Sequence, residues 1–381
     1  MRNFRVGSLV GIPILIHPSW FLLLGWVTWL LANDIYPDSL RDAARSTYFS
    51  MAAISALLFF ASMLLHELAH SVVAKAYHIP VRSITLFVFG GVSQITREAR
   101  KPTVELLMAA AGPLTSLLLG FMFLGMWWVL GARDNRPVDH VLFWLAITNG
   151  ALAVFNLIPL FPMDGGRVFR SLIWLISGNF HRATQIAAWT GRVAAWAMMA
   201  AGGLTFLGFD LVIADGLMGG LWLVLIGFFL ENAARQSLVQ DRVLTALGGY
   251  NARDLMVADP PVVDAGMTVA SLARGVLEIN PRVTYFVEDA GRLAGIVSAY
   301  QMRAIPEARW DTTTAAEAMI PSARLQAVAP ERPVADVLLD METGDLTHLP
   351  VVTDGRVVGV IGRDRILGVL RQAGLLRSAP A

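Results

Sequence analysis

Apolar residues fill the first 230 positions in long blocks separated by short polar segments. The blocks run at about 10–31, 49–70, 104–130, 139–161, 184–207 and 209–230. Each exceeds the roughly 20 residues that a helix needs to cross a bilayer core, so the pattern predicts six membrane spans. Between the second and third blocks the period changes. VRSITLFVFGGVSQI, at 81–95, reads as two β-rich runs around Gly90-Gly91, which predicts a membrane-associated β-hairpin turning at the two glycines. After Leu230 the long blocks stop, and ENAARQSLVQDRVLTALGG predicts a charged linker helix over 231–249. Farther on, TYFVED and HLPVVTD are each followed by a turn and then by LAGIVS or VVGVIG, the pattern of adjacent strands. The stretches around them align, Met256 with Met319 and Gly295 with Gly359, so 250–310 and 311–375 form two copies of one soluble α/β unit. The fold class expected is therefore a polytopic α-helical membrane core over 1–230 followed by a tandem α/β module.

Composition agrees with this division. The 381 residues are 55% hydrophobic and 15% charged, against about 25% charged in soluble proteins. Every Trp except Trp310 precedes Leu230, whereas more than half of the charged residues follow it. A net charge of +1 supplies no basic surface for nucleic acid. With no cysteine, disulfides, thiolate metal sites and a Cys nucleophile are excluded, and any metal must be held by His and carboxylates. The first block is longer than a signal-peptide core, which predicts a retained helix. Arg2, Arg5, Lys75, Arg82, Arg97, Arg100, Lys101, Arg167, Arg170, Arg182, Arg235 and Arg242 all fall on one side of a six-span topology. On the other side Arg41, Arg45, Arg133 and Arg136 are offset by Asp34, Asp38, Asp42, Asp134 and Asp139. By the positive-inside rule both termini and the soluble module are expected in the cytoplasm of a multi-pass cell-membrane protein.

Against this apolar background, HELAH at 66–70 stands out. Desolvating ionisable groups in a membrane is costly unless a partner or metal compensates. On a helix, His66 and His70 share a face and can meet one ion, while Glu67 lies about 100° round the axis, within reach of a water on that ion. Histidines satisfied by neighbouring helices are the alternative. Catalytic zinc takes three protein ligands and an open position. Asp164 is a candidate third ligand: it follows the fourth block in AVFNLIPLFPMDGGRVFR, where Pro159 and Pro162 interrupt helical hydrogen bonding and Gly165 and Gly166 permit close approach. A turn-forming Asp is the other use of such a sequence. His17, near Pro13 and Pro18, is set aside as a packed or hydrogen-bonded residue, and Arg192 is left unassigned between the membrane surface and a water cavity.

HELAH followed by FNLIPLFPMDGGR resembles the two metal-binding motifs of the site-2 protease family of intramembrane zinc metalloproteases. GIPILIHPSW, LFVFGGVSQI and AAAGPLTS add to the likeness, which covers 1 to about 230. The resemblance implies one Zn2+ held by His66, His70 and Asp164, with Glu67 as general base. It also implies a membrane-anchored, regulatory protein as substrate. Such a substrate must unwind before hydrolysis, and the strands around Gly90 and Gly91 are expected to offer it an edge, with Asn149 and Asn156 bonding its backbone. Packing of the hairpin on the bundle, and helix-tying by the two Asn, are the alternatives.

The repeated half resembles a tandem pair of cystathionine β-synthase (CBS) domains, a module that often binds adenine nucleotide and dimerises. The usual ribose-binding Asp is absent at its register: the first copy has Ser298 and Gln301, and the second has Gly362 and Arg365, with Asp364 one residue off. Nucleotide binding and homodimerisation or substrate presentation therefore both stand, and no nucleotide-binding residue is assigned. An intramembrane zinc protease modulated by its CBS pair accounts for all these features together. A CBS-regulated channel or transporter has no use for Glu67 between two histidines. A non-catalytic scaffold predicts that Glu67→Gln changes nothing.

Overall fold

The computed structural model describes residues 3–41, 43–88, 90–95, 97–130, 136–209, 216–258, 260–274, 284–322, 325, 327–344 and 346–375. Arg2, Asp42, Arg133, Asp134 and the start of the sixth predicted span, at 210–215, lie outside them. The chain divides into two compact units, Met1–Leu238 and Val239–Ala381.

The first unit opens with β1 (Phe4–Leu9) and β2 (Ile12–Ile16), an antiparallel pair turning through Val10 and Gly11, both at positive φ. This corrects the expected first span. The alternating β-branched run IPILI is extended rather than helical, and Ile14 pairs in parallel with Ile84 of β3 (Val81–Phe87). Helix begins only after Pro18, as α1 (Ser19–Leu30), and continues through a π-helical turn into α2 (Tyr36–Ser39). The central helix α3 (Arg45–Ala76) carries HELAH in its last third. β4 (Gly90–Ile95) completes a sheet of order β1-β2-β3-β4 and pairs antiparallel with β3. Gly90 and Gly91 are opposite Phe87 and Leu86, so both are strand residues of β4 and not the expected turn.

α4 (Pro102–Leu130), α5 (Pro137–Leu157), α6 (Asp164–Ser177), α7 (Phe180–Phe206) and α8 (Gly216–Leu247) as far as Leu238 complete the unit, and α8 runs unbroken beyond it through the charged stretch predicted as a linker. Four described helices, α3, α4, α5 and α8, are long and apolar enough to cross a membrane. Their outward faces remain apolar, as at Trp128 (74% exposed) and Trp222 (64%), which is expected of surfaces solvated by lipid. α1, at 12 residues, is short, and α7 is rich in Gly and Ala and carries Arg192, which lowers its hydropathy. α6 was not expected from the sequence: it is an amphipathic helix that buries Gly165, Gly166, Arg170 and Ser171.

In the second unit the two repeats exchange strands. The first contributes α9 (Ala252–Leu255), β5 (Val257–Ala258), β6 (Val262–Asp264), α10 (Val269–Leu272), β7 (Thr284–Asp289), β8 (Arg292–Ser298) and α11 (Ala299–Arg303). The second contributes α12 (Ala315–Ala318), β9 (Ile320–Pro321), α13 (Val334–Gly344), β10 (His348–Thr353), β11 (Arg356–Gly362) and α14 (Arg363–Gln372). β5 adds to β11 and β9 adds to β8, giving sheets β10-β11-β5 and β6-β7-β8-β9. The exchange explains the two repeated residue pairs. A Cβ on Gly359 would lie 2.6 Å from the Met256 sulfur, and one on Gly295 would lie 2.7 Å from that of Met319. Each repeat thus seats its methionine on the other's glycine.

Candidate metal centre

Helical spacing puts His66 and His70 on one face of α3, both 4% exposed. Their Nε2 atoms lie 3.3 Å apart, and Asp164 Oδ2 is 3.1 Å from the first and 3.2 Å from the second. Among the described residues these three form the group of His and acidic side chains able to hold a metal ion. Each ring is fixed through its other nitrogen. His70 Nδ1 donates to the Met108 carbonyl at 2.6 Å, which leaves its Nε2 lone pair aimed at the centre, and His66 Nδ1 pairs with the Ser116 hydroxyl at 2.8 Å. Both partners are on α4. The same helix supplies Gly112, where a Cβ would lie 2.6 Å from His66 Nε2 and press on His70. The space between the imidazoles and α4 therefore exists because position 112 has no side chain.

Asp164 arrives from a different element. α5 stops at Leu157, residues 158–163 run irregularly through Pro159 and Pro162, and α6 starts at Asp164. Gly165 and Gly166 lie against the backbone of that irregular segment. A Cβ on Gly166 would be 2.7 Å from the Leu160 carbonyl carbon, and one on Gly165 would strike the carbonyls of Leu157 and Ile158. α6 is then locked to α4 by charge: Glu105, 1% exposed, accepts from Arg167 Nε at 3.0 Å and from Arg170 Nη2 at 2.6 Å. Those arginines stand three and six residues beyond Asp164, so the contact sets the depth at which Asp164 meets the histidines.

Glu67 points away from the histidines toward β4. Its Oε2 accepts from the Ser93 hydroxyl at 2.7 Å and from the Ser93 N–H at 3.1 Å, and its stem lies against Gly91, where a Cβ would be 2.6 Å from Glu67 Cγ. Gly90 borders Met63 instead. Asn156 is half-buried and donates to the Leu152 carbonyl at 2.9 Å. Asn149 has no exposed surface; it donates to Leu145 within its own helix, and its Oδ1 finds no partner among the described residues. His17 lies outside the cluster, with Nδ1 2.7 Å from the Ser19 hydroxyl at the start of α1. Arg192 pairs with Glu231 of α8 at 3.1 Å, between the rings of Trp189 and Trp196.

Two imidazoles, one carboxylate and a cradle kept open by glycine suit zinc, which takes three such ligands and keeps a fourth position free. The chain matches the model of peptidase family M50 over residues 54–133 and 130–200, and that of the CBS domain over 316–372. It is also 34% identical to a Synechocystis protein named as a zinc metalloprotease, an alignment covering 97% of this chain and 96% of that one. The chain belongs to peptidase family M50, the site-2 proteases. It is a zinc metalloprotease and a membrane protein with a C-terminal CBS region. Rip3 of Mycobacterium tuberculosis, likewise named as a zinc metalloprotease, is 33% identical over 93% of this chain and 90% of its own. The solved site-2 protease from Methanocaldococcus jannaschii aligns at 30% identity with a TM-score of 0.43, covering 62% of this chain and 95% of that chain.

Sequence reasoning missed Ser93, Ser116 and the Glu105 to Arg167 and Arg170 contact. Two of these left a signal. Gly112 and Ser116 are four apart and so share a face of α4. Glu105, an acid opening an apolar helix, calls for a buried partner.

Proposed function

We propose that this protease hydrolyses a peptide bond within or near the transmembrane segment of a membrane-anchored regulatory protein, with zinc held by His66, His70 and Asp164 and with Glu67 as general base. The observation that carries the reading is the convergence of two buried Nε2 atoms and one carboxylate oxygen within 3.3 Å of one another, from helices about 100 residues apart in sequence. Zinc at this position supplies Lewis acidity and an activated water. The protein's own groups do the rest. The Met108 carbonyl and Ser116 keep the two Nε2 atoms turned inward. Glu67 takes a proton from the attacking water and delivers it to the nitrogen of the breaking amide, and after the remaining acid proton passes to the amine the products leave as a carboxylate and an ammonium group. The open edge of β4 receives the unwound substrate as an added strand, and Asn156 bonds its backbone.

In the same reading, α1 with its continuation through Ser39, and α7, join the four apolar helices to make six crossings. The Lys and Arg distribution sets the termini, the opening of the site and the CBS pair on the cytoplasmic side. Residues 250–310 and 311–375 are the two CBS repeats, which modulate activity or assembly. Calorimetric titration of the full-length protein with AMP, ADP and ATP tests the nucleotide route. Heat with any of them supports it, and no heat assigns the pair to assembly or substrate presentation. The proteolytic reading is tested by comparing membrane proteomes of cells carrying wild-type protein or Glu67→Gln. Membrane-spanning fragments that persist only with the variant identify substrates, whereas identical proteomes under several stresses point to a scaffold.

A further inference from the structure

The free edge of β4 and the Glu67 carboxylate occupy the same place. β4 is the last strand of its sheet, paired on one side by β3. Ser93 sits opposite Ile84, yet its N–H turns away from β3 and donates to Glu67 Oε2. Because successive residues of a strand direct their backbone groups to opposite sides, Gly91, Ser93 and Ile95 present theirs to the open edge. The Glu67 side chain lies over the face of β4 with its stem on Gly91, and its carboxylate reaches the edge, where the Ser93 N–H and hydroxyl cap it. The hydroxyl is itself seated, since the Ser71 hydroxyl donates to it at 3.2 Å. Exposed strand edges are commonly blunted by an inward charge or a covering element. Here the covering group is the acid next to the metal cluster.

We propose that Glu67 and an incoming substrate strand compete for the Ser93 N–H, so that strand addition at β4 releases the carboxylate from the sheet. In the free enzyme Ser93 holds Glu67 on the edge. A substrate carbonyl that takes the Ser93 N–H displaces the carboxylate, which is then available to the water it deprotonates. Ser93 is a positioning residue in this scheme, acting through Glu67. The inference rests on the reading of Glu67 as base and of β4 as the substrate edge. Its physical content is a negative coupling between one side chain and one ligand strand.

A double-mutant cycle on binding tests it. The probe is reduced, carboxymethylated, fluorescein-labelled casein, an unfolded chain, added to the full-length zinc-loaded protein in lipid nanodiscs and read by stopped-flow anisotropy before cleavage. Removing the competitor with Glu67→Ala tightens binding about tenfold, the size of one charge-assisted hydrogen bond. Ser93→Ala, which weakens the cap but keeps the N–H, tightens it by a smaller factor, and Ser93→Thr restores wild-type binding. The double variant binds no tighter than Glu67→Ala alone, because both changes remove one contact. Unchanged or weaker binding by Glu67→Ala overturns the competition, as do additive effects, or no binding to any of the proteins. Cleavage of the same casein scores the underlying reading separately: a Glu67→Ala enzyme that still cuts it removes Glu67 as base, whatever the binding ratio.

Discussion

Gly112 is the residue at which the site is most easily closed. A methyl group there would occupy the space in front of both imidazoles, so Gly112→Ala is expected to purify with normal helix content by circular dichroism and with its zinc lost by mass spectrometry. Ser116 acts more gently, by orienting one ring. Ser116→Ala should lower zinc affinity about 10- to 100-fold, the usual cost of removing a ligand's supporting hydrogen bond, measured by competition with a chelator. At this scale the sequence was informative about ligands and poor about their supports. Helical spacing puts His66 and His70 on one face with Glu67 about 100° round the axis, while the break around two prolines left Asp164 open between a ligand and a turn residue until the family resemblance pointed to the ligand. The roles of the Met108 carbonyl and of Ser93, the latter inside the quoted LFVFGGVSQI stretch, depend on the registers of α4 and β4 against α3, which local pattern does not encode.

Among the elements, α6 decides whether the candidate third ligand, Asp164, is in place. It is a short helix after an irregular segment, and its hold on α4 is the buried contact of Glu105 with Arg167 and Arg170, backed by the Phe161 and Phe180 rings 5.5 and 4.8 Å from the Arg170 guanidinium. Removing one partner of a buried ion pair strands the other charge, at about 3–5 kcal/mol. Glu105→Ala should therefore lower the unfolding midpoint of the purified protein sharply, and Glu105→Gln, which keeps an acceptor, should do so less. Differential scanning fluorimetry in detergent separates the two. The long apolar helices were legible from block length alone. The first span was not, because IPILI satisfies a strand pattern as well as it fills an apolar block, and pairing of Ile14 with Ile84 resolves the ambiguity through a contact 70 residues away. The Gly90-Gly91 turn failed for a related reason: glycine at Gly91 is required by the approach of Glu67, not by a turn.

For the molecule as a whole, the candidate metal cluster lies in the first unit and two strand-exchanged α/β repeats, the second of which matches the CBS domain, form the other. The repeat was visible in sequence because both copies keep the same methionine and glycine, and its exchange of strands was not, because either pairing satisfies the same hydrophobic pattern. Within that module, Gly359→Val would drive a side chain into Met256, and overpacking of this kind costs about 1–3 kcal/mol. The expected result is a lowered melting transition of the CBS region with zinc content unchanged. The central claim is that two histidines of α3 and the first residue of α6 hold zinc. X-ray absorption at the zinc edge, on purified full-length protein and on Asp164→Ala, tests it most directly. The account predicts two imidazoles and oxygen ligands in the wild type, and loss of zinc in the variant; a third imidazole, or zinc retained without Asp164, would contradict it.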